Sequence, residues 1–169
     1  MNALTTLLMF VSVVTLGLSA GLFTSWSYAV MPGLHRSSDR SFVEVMQHTI
    51  RAMRNGWSAV VFGGALLFPV LACVLLPWAE GPQTSQSLPW LVIALVLYVA
   101  VLVITFAIHV PLNKELGAAG AVDRIADLAA VRERFEDRWV RWNVVRSVLG
   151  TLAFACAAWG LLQYGHSTP

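Results

Sequence analysis

Long apolar stretches alternate with short polar ones along this chain. Four apolar runs reach the length of about 20 largely uncharged residues that a membrane helix requires. They are Leu4–Val30, Trp57–Trp78, Leu88–Val110 and Val144–Tyr164. Pro77, Pro82 and Pro89 bracket the second connection, where helices are expected to end. Leu18-Ser19-Ala20 in the first run has the look of a cleavage site, but no basic residue precedes it and the apolar stretch runs on past it. A retained first span is therefore expected. The loop lengths predict an all-α, polytopic, four-transmembrane-helix up-down bundle, one membrane domain over residues 1–169. The third connection is long enough to hold a helix of its own.

The first connection has a pattern of its own. Phe42, Val45, Met46, Thr49, Ile50 and Met53 follow the three-and-four spacing of one helical stripe, with Gln47, Arg51 and Arg54 on other faces. This predicts an amphipathic helix lying at the bundle mouth. Rows of small residues (Gly17, Gly21 and Ser25 in the first span, Ala153 and Ala157 near Gly150 and Gly160 in the fourth) mark packing seams.

Composition agrees with a membrane protein: 57% of residues are hydrophobic and 12% charged. All 11 lysines and arginines fall between Arg36 and Arg146, in or beside the segments Arg36–Arg54 and Lys114–Arg146. Basic connections stay cytoplasmic, so a multi-pass cell-membrane protein with both termini outside is expected. The net charge is only +2, and the bases from Lys114 to Arg141 are matched by acids from Glu115 to Asp137. That pattern describes a solvated helical face rather than a nucleic-acid surface. Cys73 and Cys156 lie in apolar runs and are expected to behave as small hydrophobes.

The residues that an apolar bundle should avoid gather at the basic face. His109 and Asn113 are four apart and share a face if the helix survives Pro111. Trp139, Trp142, Asn143 and Arg146 stand at offsets of three, four and seven, one stripe entering the fourth span. An ionisable residue there costs about 2.5–3.5 kcal/mol at mid-bilayer, so such a stripe belongs against a cavity rather than lipid. Trp26, Tyr28, Trp57 and Trp139 are candidates to line an aromatic slot, with Gln47, Asn55 and Trp142 as further candidate binding residues. Trp90 and Trp159 read as an interfacial belt. His35, His48 and His109 share the basic side, yet no HxxxH, HxxE or CxxC spacing appears. Nucleophile motifs, phosphate loops and dinucleotide fingerprints are absent as well. No metal ligand set is assigned, although a haem or metal protein stays open as an alternative.

The segment Gly21–Leu34 resembles the opening of the anthrone oxygenase-like family of small membrane proteins, and the likeness continues through Phe42–Asn55 and His109–Asn113. It closes on Arg134-Phe135, Trp139, Asn143 and Arg146, its most specific part. The resemblance implies a four-helix membrane protein that oxidises an anthrone or similar polycyclic phenol to a quinone with molecular oxygen, with no metal or flavin cofactor. His109 would then serve as base, with His48 in reserve. Arg146, Asn143 and Asn113 would donate to the enolate oxygen. The implied partners are the bilayer, a hydrophobic aromatic molecule and dioxygen, with oligomeric state left open. A non-catalytic membrane binder or carrier of a lipophilic aromatic molecule is the competing reading.

Overall fold

The structure is a computed structural model that describes residues 3–78 and 83–166. Pro82, one of the prolines expected to bracket the second connection, lies outside the described residues, as does the side chain of His166. Helix α1 runs over Ala3–His35, α2 over Asp39–Ala52, α3 over Gly56–Trp78, α4 over Thr84–Ala118 and α5 over Leu128–His166. The last turn of α3, Leu76–Trp78, is 3-10. No strand occurs among the described residues.

Four of these helices, α1, α3, α4 and α5, are long and apolar enough to cross a membrane. They close a ring in which α1 packs on α3 and α5, and α4 packs on α3 and α5. The seams are built by small residues and short van der Waals contacts, as expected where lipid offers no hydrophobic drive between helices. Ala153 and Ala157 are fully buried. A Cβ on Gly17 would come within 3.1 Å of the Phe154 ring, and one on Gly64 within 3.1 Å of the Thr15 methyl. Gly21, by contrast, meets nothing within 4 Å, so the expected small-residue seam on α1 is used only in part. Tyr98 donates to the Phe62 carbonyl (3.1 Å) and meets Ser19 Oγ (3.4 Å), tying α4 to α3 and α1.

The helices extend beyond the apolar runs. At 33, 35 and 39 residues, α1, α4 and α5 are longer than a hydrocarbon layer of about 30 Å requires at 1.5 Å per residue. Their excess lies at the basic end. There Met31, Phe42, Val43, Met46, Leu112, Leu116, Phe135 and Trp139 form a second apolar cluster, a cap. The third connection therefore holds no separate long helix: α4 runs on to Ala118, a 3-10 turn spans Val122–Arg124, and α5 starts at Leu128. Gly120, at φ +88, makes the turn, and Asp127 Oδ1 caps α5 by accepting from Ala130 N at 2.9 Å.

Helix α2 lies across the cap against α4 and α5. Ser38 caps it, accepting from Ser41 N (3.2 Å). Of the expected stripe, Phe42 and Met46 are buried and Thr49, Ile50 and Met53 half-buried, whereas Val45 is exposed and Val43 and Gln47 are buried beside them. Gln47 faces inward because its amide has work there, donating to the carbonyls of Leu116 (2.8 Å) and Gly120 (3.0 Å). The charges after Leu128 are not all solvated either. Arg132 is half-buried over Phe42 and donates to Glu136 Oε2 (2.5 Å), Asp39 Oδ1 (2.9 Å) and the carbonyls of Ser37 (2.9 Å) and His35 (2.7 Å). His35 Nδ1 holds the other Glu136 oxygen at 2.8 Å. One guanidinium thus pins the end of α1 and the start of α2 onto α5.

Candidate functional site

Two of the long rods are interrupted at matching places. In α1 the turn Trp26–Val30 is π, and in α4 the turn Thr105–His109 is π. Met31 N–H reaches back to Trp26 O, and Val110 N–H to Thr105 O. Each π turn is followed by a proline two residues on, Pro32 and Pro111. Proline lacks the N–H and crowds the carbonyl four residues earlier, and the widened turn accommodates both defects without ending the helix. The helix survives Pro111, so His109 and Asn113 do share a face.

Between these turns lies a cavity of about 250 Å³. Its polar wall is formed by His109, Asn113 and Thr105 from α4 and by Arg146 from α5. Phe23, Trp26, Phe62 and Trp139 form the aromatic walls, and Met46, Thr49 and Ile50 of α2, with Met53 just after it, form the roof. Small-molecule sites run to about 300–1,000 Å³, so this is a compact one with room for a small ring system.

Arg146 is 6% exposed and sandwiched by aromatic faces, its Cζ 4.3 Å from the centre of the Phe23 ring and 5.9 Å from that of Trp139. Phe62 stacks on Phe23 at 5.6 Å. The guanidinium donates to Thr105 Oγ1 (3.1 Å) and Asn143 Oδ1 (2.7 Å), both neutral. It forms no ion pair among the described residues, and Nε has no partner there. Asn143 is oriented in turn by donating to the Phe23 carbonyl (3.0 Å) and Ser27 Oγ (2.8 Å), while Ser27 also meets Ser147 (2.8 Å). The first π turn thus sets the Arg146 support, and the second supplies Thr105 and His109.

His109 is 2% exposed and stands edge-on to Trp139 at 5.2 Å. Neither ring nitrogen makes a hydrogen bond to a described residue, although the backbone of Ile104 and of Trp139 approaches it. Trp139 Nε1 donates to Asn113 Oδ1 at 3.1 Å, which leaves the Asn113 nitrogen as its donor. Trp139 and Trp26 meet at 5.5 Å. Buried polar atoms are normally satisfied, so an unpartnered imidazole and a guanidinium whose Nε has no partner, on one cavity, invite a ligand with matching groups.

Of the residues singled out in the sequence, His109, Asn113, Arg146, Trp26 and Trp139 line this cavity. Asn143 stands behind Arg146 without lining it. The others lie elsewhere. His48 is exposed, Tyr28 is 72% exposed and Trp57 71%, and Trp142 is half-buried outside the lining. Gln47 ties α2 to the end of α4. Asn55 caps α3, accepting from Ser58 N (2.8 Å). Phe23, Phe62, Thr105 and Phe106 line the cavity without having been singled out; aromatic and hydroxyl residues in apolar runs carry no local mark, and the proline after each π turn was the available signal. His35 is engaged with Glu136, and no three His, Cys, Asp or Glu side chains converge among the described residues.

A family model described as anthrone oxygenase matches residues 50–156, more than half of the chain. The match includes His109, Asn113, Trp139, Asn143 and Arg146, and begins after the stretch Gly21–Leu34. No curated protein and no solved structure matches the chain.

Proposed function

Because the chain belongs to the anthrone oxygenase family, we propose that its cavity oxidises an anthrone, or a similar polycyclic phenolic compound, to a quinone with molecular oxygen and no resident cofactor. The observation that carries this reading is the pairing of a buried guanidinium lacking a carboxylate with an unpartnered imidazole on one aromatic-walled cavity. An anthrone methylene lies between two aryl rings and is acidic. His109 takes one of its protons, in the role that histidine most often plays. Arg146 and the Asn113 amide hold the oxygen on which the enolate charge develops, in a site from which the aromatic walls exclude water. Asn143 and Thr105 keep the guanidinium aimed at that point.

The electron-rich enolate passes one electron to dioxygen, and the resulting carbon radical and superoxide join in a C–O bond. The imidazolium returns its proton to the peroxide. Loss of the second methylene proton, with cleavage of the O–O bond and departure of hydroxide, leaves the new carbonyl. One oxygen atom enters the product and the other leaves as water, so no outside reductant is consumed. The substrate supplies the electrons that a cofactor otherwise would.

The same reading takes residues 1–169 as one membrane domain, with the basic end and cap in the cytoplasm and the termini outside. The test is oxygen uptake by purified protein given a simple anthrone, above a no-protein control. His109→Ala is expected to lower kcat by about 10²–10⁴-fold, the usual share of a general base. Arg146→Met is expected to lower it by about 10²–10³-fold. Binding of the compound with no uptake would instead favour the carrier.

A further inference from the structure

The cavity wall is uneven in its exposure. Arg146, His109, Phe23 and Trp139 are buried, whereas Phe106, lining the same cavity, is 67% exposed. Phe62, Leu102 and Met53 are half-buried between these extremes. A side chain that walls a cavity while most of its own surface is open marks where the cavity meets the outside. Around Phe106 that outside is apolar: Val99, Val103 and Ala107 share the outward side of α4 and are exposed. Across the gap, Val60 and Gly63 of α3 are exposed as well.

The aqueous side is closed by α2. Met46, Thr49, Ile50 and Met53 point into the cavity, while Arg40, Glu44, His48 and Arg51 are exposed on the outer surface of the helix. Trp57, four residues after Met53 and 71% exposed, opens the α3 span, and span ends are where membrane proteins carry their interfacial tryptophans. The opening is therefore apolar, lateral and close to the membrane–water boundary.

We propose that the cavity fills from the bilayer, through a portal between α3 and α4 at which Phe106 selects the size of what passes. This rests on the cavity being the substrate site, and it narrows the substrate class to flat aromatic compounds that partition into the interfacial layer. The polar edge of such a molecule travels at headgroup depth and arrives level with His109 and Arg146, while its rings never leave an apolar surrounding. Phe106 touches no reacting group, so its effect falls on access.

The experiment uses full-length protein in phosphatidylcholine vesicles, in a Cys73→Ala, Cys156→Ala background carrying either Phe106→Cys or Val103→Cys. Each cysteine is modified with benzyl methanethiosulfonate. Quenching of protein tryptophan fluorescence reports association of 1,8-dihydroxyanthraquinone, a ligand that needs no turnover, and oxygen uptake with an anthrone is read in parallel. Modification at position 106 is expected to slow association about tenfold and to raise KM with kcat within about twofold, while modification at 103 changes neither. Association should follow the mole fraction of ligand in the lipid, not its total concentration. Phe106→Trp, which needs no labelling, should shift KM more for a three-ring than for a two-ring substrate. Unchanged association after modification at 106, or rates that track aqueous ligand, would overturn the portal. Portal-dependent association with no oxygen uptake would uphold it and remove the oxygenase reading alone.

Discussion

The two apolar clusters of this protein are held together by different physics. Among the spans, the core of Leu8, Met9, Leu16, Ala65, Leu91, Ala153 and Ala157 is mainly aliphatic and closely approached, with Phe23, Tyr98 and Tyr164 set into it, and the hydroxyls of Ser12 and Thr15 turn back to their own helix. Ser12 donates to the Leu8 carbonyl (2.7 Å) and Thr15 to that of Val11 (2.9 Å). In the cap, the core is aromatic and methionine-rich, and a charged knot around Arg132 ties three segments over it. Lipid-facing helices gain nothing from hiding apolar surface, so close fit, with a few bonds such as those of Tyr98, holds them. The cap reads as the part that meets water, where burial of Phe42 and Phe135 is itself a driving force. The polar layer of His109, Asn143 and Arg146 sits at the junction, where a charge can be kept dry at least cost.

Each region is expected to fail in its own way. Arg132→Ala leaves Glu136 buried without its guanidinium and should cost the cap about 3–5 kcal/mol. The expected result is rapid proteolysis near Ser37 with the span helicity retained by circular dichroism; simultaneous loss of both would show the regions to be one cooperative unit. Ala157→Leu overpacks the span seam and should cost about 1–3 kcal/mol. That loss should appear in thermal unfolding in detergent, with the protease pattern of the cap unchanged. Gln47→Leu removes the hydrogen bonds to the Leu116 and Gly120 carbonyls and should loosen the α2 roof by about 1 kcal/mol. Faster hydrogen exchange confined to α2 is the readout. Ser12→Ala deletes a bond that stays within one helix and should change stability by less than about 0.6 kcal/mol. A larger effect on Tm would contradict the packing account of the span core.

The four spans were legible because bilayer-crossing runs must be long and uncharged. Their true extents were not, because α1, α4 and α5 leave the apolar region while staying helical, and charged residues form helices as readily as loops. The α2 stripe was legible at Phe42, Met46, Thr49, Ile50 and Met53 but not at Val45 or Gln47, since Gln47, a polar residue, is buried by two carbonyls that no local pattern announces. In the site, the offsets from Trp139 to Arg146 were readable, but the rotation of Trp142 out of the lining was not. Trp57, Tyr28 and His48 show the limit of residue type as a guide. Aromatic and imidazole groups suit a membrane boundary as well as a pocket, and only packing decides between them. Phe23, Ser27 and Thr105 act through neighbours on other helices, a relation that one stretch of sequence does not contain.

The paired π turns have a consequence for how this protein tolerates change in length. Each is equivalent to one residue spliced into a regular helix, and one residue is worth about 100° of rotation. Deleting Ala107, which is exposed and touches little, would let α4 close into regular geometry while swinging the imidazole relative to the wall it now faces. The same deletion at Ala29 would turn the whole of Met31–His35, and with it the cap, against the first span. Such an edit leaves hydropathy and charge nearly untouched, so a homologue one alanine shorter at position 107 would keep every outward sign of kinship and have its imidazole aimed elsewhere.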